Sequence, residues 1–232
     1  MTTDSALVDI LRRTRTLLID FDGPICAVFA GYPATVVADE LRRLIAAHGG
    51  SIPADTDGDE GPISILRRIG QTGPATLVRA VADALRDAEV KAVETAEPTS
   101  GADDLLRFAQ AVGRRVAVVS NNSEEAVRRY LQQHGLSGYV EHISARYDGM
   151  DARHLKPSDH LIRRALDALG STPAEAALVG DSTVDVAASR AAAVVAVIGY
   201  ANKPGKRDSL AAAGVQAIIE TTAEMAAALR VS

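Results

Sequence analysis

Tryptophan is absent from this chain, and three phenylalanines and five tyrosines supply all of its aromatic side chains. That scarcity, beside abundant Ala and Val, points away from a β-sandwich and toward closely packed layers of helix on sheet. The single cysteine, Cys26, permits no internal disulfide and fits a reducing, cytoplasmic interior. In its apolar setting it reads as core filler rather than as a nucleophile. No run of about 18 apolar residues is available to span a membrane, and nothing near Met1 resembles a signal peptide. Nor is there an excess of base: 25 Lys and Arg stand against 30 Asp and Glu, a net charge of −5. Nucleic-acid polymers and membrane surfaces both favour clustered cations, so this balance argues against either partner. A substrate anion would have to be held by a few local charges. The histidines show no metal-ligand spacing, and no internal repeat or low-complexity tail is present.

What is present is enough apolar residue, 47% of 232, for one large domain or for a domain with a smaller one inserted. The stretch Leu17-Leu18-Ile19-Asp20-Phe21-Asp22-Gly23 reads as a buried strand that reaches the surface at its C-terminal end. Strand side chains alternate, so Asp20 and Asp22 project to one side. Two carboxylates about 4 Å apart repel by roughly 4 kcal/mol at an effective dielectric of about 20, which calls for a cation or a shared proton. Gly23 lets the chain turn directly after the pair. A strand that simply ends in solvated acids is the alternative for this stretch alone.

Asp4 to Arg13 has the spacing of an amphipathic helix leading into that strand. Residues 27–32 are apolar and irregular, a flap beside the acids. Pro33 opens a helical pattern that ends at His48-Gly49-Gly50, and Ile63 to Ile69 and Pro74 to Ala92 follow as two more helices. Nothing between Pro33 and Glu97 alternates like a strand, so residues 32–97 form an all-helical insertion between core segments 1–31 and 98–232. Within it, Asp55-Thr56-Asp57-Gly58-Asp59-Glu60 begins like a calcium loop, but the sixth position is Glu60 and the twelfth Leu66, where glycine and a bidentate glutamate belong. It reads as a solvated loop. Arg42-Arg43 and Arg67-Arg68 read as solvent-facing charges, with Arg67 or Arg68 the alternative candidates to face a substrate.

After Pro98 the character changes to alternation of helix and strand: helix 102–112, strand 115–119, helix 124–134, strand 139–144, helix 158–169, strand 177–179, helix 183–192, strand 194–198 and a last strand at 217–219. Strands separated by helices give parallel βαβ units, hence an α/β fold with a doubly wound parallel sheet. Such sheets bind ligands beyond the carboxyl ends of their strands. Polar residues cluster there. Ser120 and Asn121 follow one strand at the start of a helix, a place suited to an anion; Asn122 or Ser123 also reads as an ordinary helix cap. Asp181 follows another strand, with Asp185 one helical turn on; these also read as an N-cap and a surface acid. Lys156-Pro157 is expected to open a helix, where a lysine is electrostatically out of place unless it has a further task.

Together Asp20-Phe21-Asp22-Gly23, Ser120-Asn121, Lys156-Pro157 and Gly180-Asp181-Ser182-Thr183-Val184-Asp185 resemble the four ordered motifs of the haloacid dehalogenase-like hydrolases, in particular the phosphatase branch with a helical cap, phosphoglycolate phosphatases among them. The resemblance implies a Rossmann-like core and a chemistry. Asp20 would be the nucleophile, giving an aspartyl-phosphate. Asp22 would protonate the leaving oxygen and then activate water. Mg²⁺ would be held by Asp20, the backbone carbonyl of Asp22, Asp181 and, directly or through water, Asp185. Ser120, the Asn121 backbone and Lys156 would hold the remaining phosphoryl oxygens.

Single residues separate the branches. Asp22 favours phosphoryl over carbon–halogen chemistry, and Lys91, the only lysine of the insertion, sits at its far end rather than where a phosphonate-cleaving relative needs a Schiff base. Pro24 departs from the family's usual residue after the glycine and bears on the flap. The expected protein is a cytoplasmic Mg²⁺-dependent phosphomonoesterase for a small phosphorylated metabolite. A sugar phosphomutase with the same motifs, and a catalytically idle relative kept for partner binding, are the alternatives. His154, two residues before Lys156, reads as a surface histidine, with an approach to the site as the alternative, and Asn202 to Arg207 as a solvated basic loop, with a place at the border of the pocket as the alternative.

Overall fold

The computed structural model describes residues 5–53 and 60–232. Most of the acidic stretch weighed as a calcium loop therefore lies outside the described residues. Six parallel strands form one sheet: β1 (Thr16–Ile19), β4 (Arg115–Ser123), β5 (His142–Arg146), β6 (Ala176–Gly180), β7 (Ala196–Tyr200) and β8 (Ala217–Ile219), in the order β5-β4-β1-β6-β7-β8. β1 lies inside, paired with β4 and β6, and all four of its residues are buried. That is why it reads as an unbroken apolar run rather than an alternating one.

Alternation survives in which way each side chain faces. Leu17, Ile19, Val116, Val118, Ala177 and Val179 enter one apolar cluster, and Leu18, Ala117, Val119 and Leu178 another. The first is covered by α1 (Ser5–Arg13), α5 (Ala102–Ala111), α6 (Glu124–Gln133) and α10 (Thr222–Leu229). The second is covered by α7 (His160–Leu169), α8 (Thr183–Ala191) and α9 (Lys206–Ala212). Each fully buried Leu, Ile or Val contributes about 1.5–3 kcal/mol, so both faces of the sheet are covered by their own apolar layer. Cys26 is a free thiol inside the first cluster, and burial raises its pKa well above the usual value. No described helix is long and apolar enough to cross a membrane.

Between β2 (Cys26–Ala27) and β3 (Glu97–Pro98) come α2 (Ala34–Ala47), α3 (Pro62–Thr72) and α4 (Ala75–Ala92). These three helices share a cluster of their own, built on Val37, Leu41, Ile45, Ile65, Leu66 and Val81. β2 and β3 pair antiparallel, Cys26 with Pro98 and Ala27 with Glu97, so the chain leaves and re-enters at one place.

Several elements differ from expectation. β5 starts three residues later than the apolar run at 139 suggests, because Ser137–Tyr139 forms a 3-10 turn. α7 begins at His160, so Lys156 lies in the preceding loop rather than at a helix N-terminus. Lys206 opens α9 and does not lie in a loop. α10 had no expectation at all, although Thr221-Thr222-Ala223-Glu224 is a capping box whose reciprocal hydrogen bonds are formed.

Candidate active site

Ile19 is in register with Val118 on one side and Val179 on the other, so β1 and β6 end side by side next to the point where β4 runs on from Val118 to Ser123. Whatever follows them emerges together. Asp20 is tied to this edge by its own N–H, which donates to the Val179 carbonyl at 2.9 Å, and its carboxylate accepts from the Phe21 N–H at 2.7 Å. Asp20, Asp181 and Asp185 each offer a carboxylate oxygen within 4.8 Å of the others. Burial pushes the Asp20 carboxyl up and Asp185 pushes it further, against the opposing pull of Lys156. Burial raises Asp181 as well. The site holds more negative charge than it neutralises.

Two glycines make the crowding sterically possible. A Cβ on Gly23, whose φ is +113°, would meet Asp181 Oδ2 at 2.5 Å, and one on Gly180 would meet Asp185 Cβ at 2.6 Å. A side chain at either place would displace a carboxylate.

Lys156 is 3% exposed, with Nζ 2.9 Å from Asp20 Oδ1, 2.6 Å from Asp185 Oδ1 and 3.0 Å from the Val119 carbonyl. Burial alone would lower its pKa, but Asp185 and Asp20 outweigh burial and hold it above the usual lysine value. Its loop is fixed by Asn121, whose amide accepts from the Lys156 N–H at 2.7 Å and donates to the Lys156 carbonyl at 3.1 Å. Lysine here is explained by two carboxylates, not by a helix end. On the other side, Ser182 caps α8: its Oγ accepts from the Asp185 N–H, while Asp185 Oδ2 accepts from Ser182 Oγ at 2.6 Å and Ser182 N at 3.1 Å. Asp185 is thus wholly buried and is not a surface acid, and Asp181 is not the cap.

Asp22 lies outside the trio. Its carboxylate accepts from the Val28 N–H at 3.0 Å, and burial pushes it up to about 6 against that hydrogen bond. The turn after it is closed by Gly23 N–H to the Cys26 carbonyl at 2.7 Å and by Ile25 and Cys26 N–H to the Phe21 carbonyl. None of those bonds needs an N–H at residue 24, so Pro24 fits without loss. Thr99 Oγ1 donates to the Gly23 carbonyl at 2.6 Å and ties the turn to the exit of the helical segment. Ser120 is buried; its hydroxyl donates to Asn122 Oδ1 at 3.1 Å and accepts from the Asn122 N–H.

The cavity above the acids has a volume of about 230 Å³. Besides Asp20, Asp22, Lys156 and Asp181 it is lined from α3 by Ser64 and Arg67. Ser64 Oγ is buried with no hydrogen-bond partner among the described residues. Sequence reasoning missed Ser64, whose hydroxyl in an amphipathic helix carries no signal. Lys206, read as part of a solvated loop with the pocket border as the alternative, reaches the site: its Nζ bonds Asp181 Oδ2 from the first turn of α9. A lysine opposing the helix dipole was the available clue. His154 is exposed and stacks on His160, 4.3 Å between ring centroids, away from the acids.

A family model described as haloacid dehalogenase-like hydrolase matches residues 63–198, more than half of the chain. The chain belongs to the haloacid dehalogenase-like hydrolases. Over 120 residues this haloacid dehalogenase-like chain is 35% identical to a phosphoglycolate phosphatase of Cupriavidus necator, a match covering 50% of the chain and 49% of that relative. The chain thus spans about half the length of that relative. Over 207 residues it is 27% identical to a β-phosphoglucomutase of Mycobacterium bovis, covering 88% of the chain and 72% of the relative. A solved structure of a predicted phosphatase from Clostridium acetobutylicum matches with a TM-score of 0.70 at 17% identity, over 92% of this chain and 97% of that one, which is a likeness of fold. In the terms of this family, the acid trio of Asp20, Asp181 and Asp185 is a hard-oxygen donor set that could hold a metal ion.

Proposed function

We propose that the chain is a Mg²⁺-dependent phosphomonoester hydrolase acting on a small phosphorylated metabolite. The observation that carries this reading is the trio of Asp20, Asp181 and Asp185, two of them buried and Asp181 half-buried, beside an Asp22 whose carboxyl is pushed up to about 6. Asp20 and Asp181 would hold the ion, with the Asp22 carbonyl, and Asp185 would act directly or through water. Three all-oxygen, mutually repelling ligands in a cradle that a glycine Cβ would fill suit a small hard cation. When bound, Mg²⁺ supplies charge that offsets repulsion between the acids and the incoming phosphate.

The chain's own residues do the rest. Asp20 attacks phosphorus and the ester P–O bond breaks, leaving an aspartyl-phosphate. Asp22 gives its proton to the departing oxygen, and as carboxylate takes one from the water that hydrolyses the intermediate. A carboxyl near 6 has both forms available close to neutrality. Lys156, fixed by Asn121 and Asp185, neutralises phosphoryl charge, together with the Ser120 hydroxyl and the Asn121 backbone.

In this reading residues 32–97 are a cap and residues 1–31 and 98–232 the catalytic core. The cap helix α3 supplies Arg67 and the Ser64 hydroxyl, which has no partner among the described residues, and the pair suits a second anionic group on a short substrate such as the carboxylate of phosphoglycolate. Neither nucleic-acid polymer nor membrane is part of the proposal. The buried free Cys26 fits a reducing compartment, and a cytoplasmic location belongs to it.

The test is phosphate release from a metabolite panel with Mg²⁺, including phosphoglycolate and sugar phosphates. Release that EDTA and Asp20→Asn abolish supports hydrolysis; no release from any member, with a tightly bound protein partner instead, would leave an idle relative. The β-phosphoglucomutase similarity over 88% of the chain favours one second reading. Isomerised sugar phosphate with little free phosphate is its signature.

A further inference from the structure

One buried ion pair takes no part in the chemistry proposed above. Glu89, on α4, is 0% exposed, and Arg146, the last residue of β5, is 6% exposed; Arg146 Nη2 donates to Glu89 Oε2 at 2.5 Å. Neither side chain stops there. Glu89 Oε2 also accepts from the Ser123 N–H at 2.8 Å, and Oε1 accepts from Asn122 Nδ2 at 3.2 Å. Arg146 Nε donates to the Asn121 carbonyl at 3.2 Å and Nη1 to the Ala82 carbonyl at 3.1 Å. Ala82 and Glu89 lie two turns apart on α4. The carbonyl points toward the helix C-terminus and the side chain leans toward the N-terminus, so both converge on one guanidinium.

The residues gripped in this way are Asn121, Asn122 and Ser123 at the irregular end of β4, the stretch that carries the Ser120 hydroxyl and the Asn121 backbone assigned above to the phosphoryl group and is called the phosphate loop below. A carboxylate can only accept, so Asn122 must turn its Nδ2 to Glu89 and its Oδ1 to Ser120. The Ser120 hydroxyl is thereby held in one orientation. The free N–H at the start of α6, a natural anion site, is already answered at Ser123 by a carboxylate from another element. β4 is also irregular between Ser120 and Ser123, so the sheet ladder alone does not fix the loop.

We propose that Glu89 and Arg146 are positioning residues: the helical segment holds the phosphate loop from behind, through α4, and loses phosphate affinity when that grip is removed. The proposal rests on reading the loop as phosphate-binding. The experiment compares wild type with Glu89→Gln and with the double variant Glu89→Gln/Arg146→Met, which removes both charges of the pair and keeps the test open where the single variant fails to fold. Three quantities are read: hydrogen exchange at the Ser123 amide, the Kd of inorganic phosphate in the presence of Mg²⁺, and kcat and KM for a phosphate ester. The expected result is a folded double variant with faster exchange at Ser123, and Kd and KM each raised about tenfold while kcat changes by less than about threefold. Wild-type exchange at Ser123 in the folded double variant overturns the proposal. Faster exchange with unchanged Kd and KM overturns it as well, since the pair is then structural only. Failure of the underlying reading is seen separately, in a wild-type protein that neither binds nor releases phosphate.

Discussion

Two buried cations sit on either side of the end of β4, and they are kept in opposite ways. Arg146 faces one carboxylate, Glu89, and all three of its nitrogens donate. Lys156 faces two, Asp20 and Asp185, with Asp181 and Asp22 close by and, among the described residues, Lys206 the only further ammonium bonded to the group. The first centre is balanced, one guanidinium to one carboxylate. The second is short of positive charge and opens onto a cavity. Buried charge that is matched holds a structure together, whereas buried charge left in excess is available to an incoming cation or proton.

The sharpest way to break this contrast is Asp20→Asn. It removes one acid from a centre with too many, so the urea midpoint should hold or rise, while phosphate release should fall by at least about 10³-fold, some 4 kcal/mol of barrier. A parallel fall in stability would show that Asp20 is a structural partner of Lys156 and not a surplus charge. Next in size is Arg146→Met, which strands Glu89. Breaking a buried pair from one side costs about 3–5 kcal/mol, against about 1 kcal/mol or less expected for Asp185→Asn, because Lys156 keeps Asp20. Equal losses in urea unfolding would erase the distinction.

Mg²⁺ should stabilise the acid centre only. At about 100 times Kd, a ligand that binds the native state adds about 2.7 kcal/mol, so the Tm of EDTA-treated protein should rise on adding Mg²⁺. Asp181→Asn should lose that rise, and Glu89→Gln/Arg146→Met should retain it.

The smallest effect is on pH. The Asp22 carboxyl is pushed up to about 6, so its acid form, which gives the leaving oxygen a proton, is present below that pH and lost above it. With an alkyl phosphate, kcat/KM should decline above about pH 6 by up to about tenfold per unit, while an aryl phosphate, whose leaving group needs no proton, stays flat. Because the shift is upward, Asp22 binds its proton more tightly in the fold, and its contribution to stability decreases as pH rises from its ordinary value of 3.8 toward about 6. Parallel profiles for the two substrates would remove Asp22 from the acid role.

The acid centre was largely legible in the sequence and the balanced one was not. Asp20, Ser120 and Asp181 each follow an apolar run, and a run buried on both faces is hard to miss. Glu89 and Arg146 are 57 residues apart. A glutamate in an amphipathic helix and an arginine before Tyr147-Asp148-Gly149 both look solvated until the fold brings them together. Placing β5 three residues early hid Arg146 further. Lys156 was found for the wrong reason, since it does not start α7, and Lys206 was hidden by the Pro204-Gly205 turn signal in front of it. Pairings over long separations leave no local periodicity to read.

The antiparallel contact of Cys26 and Ala27 with Glu97 and Pro98 works as a splice junction. Since entry and exit lie side by side, a different run of helices could be grafted between them with the sheet and its acids left untouched. The graft would need one thing in return: a carboxylate arriving where Glu89 stands, or the guanidinium of Arg146 would be left without its counter-charge.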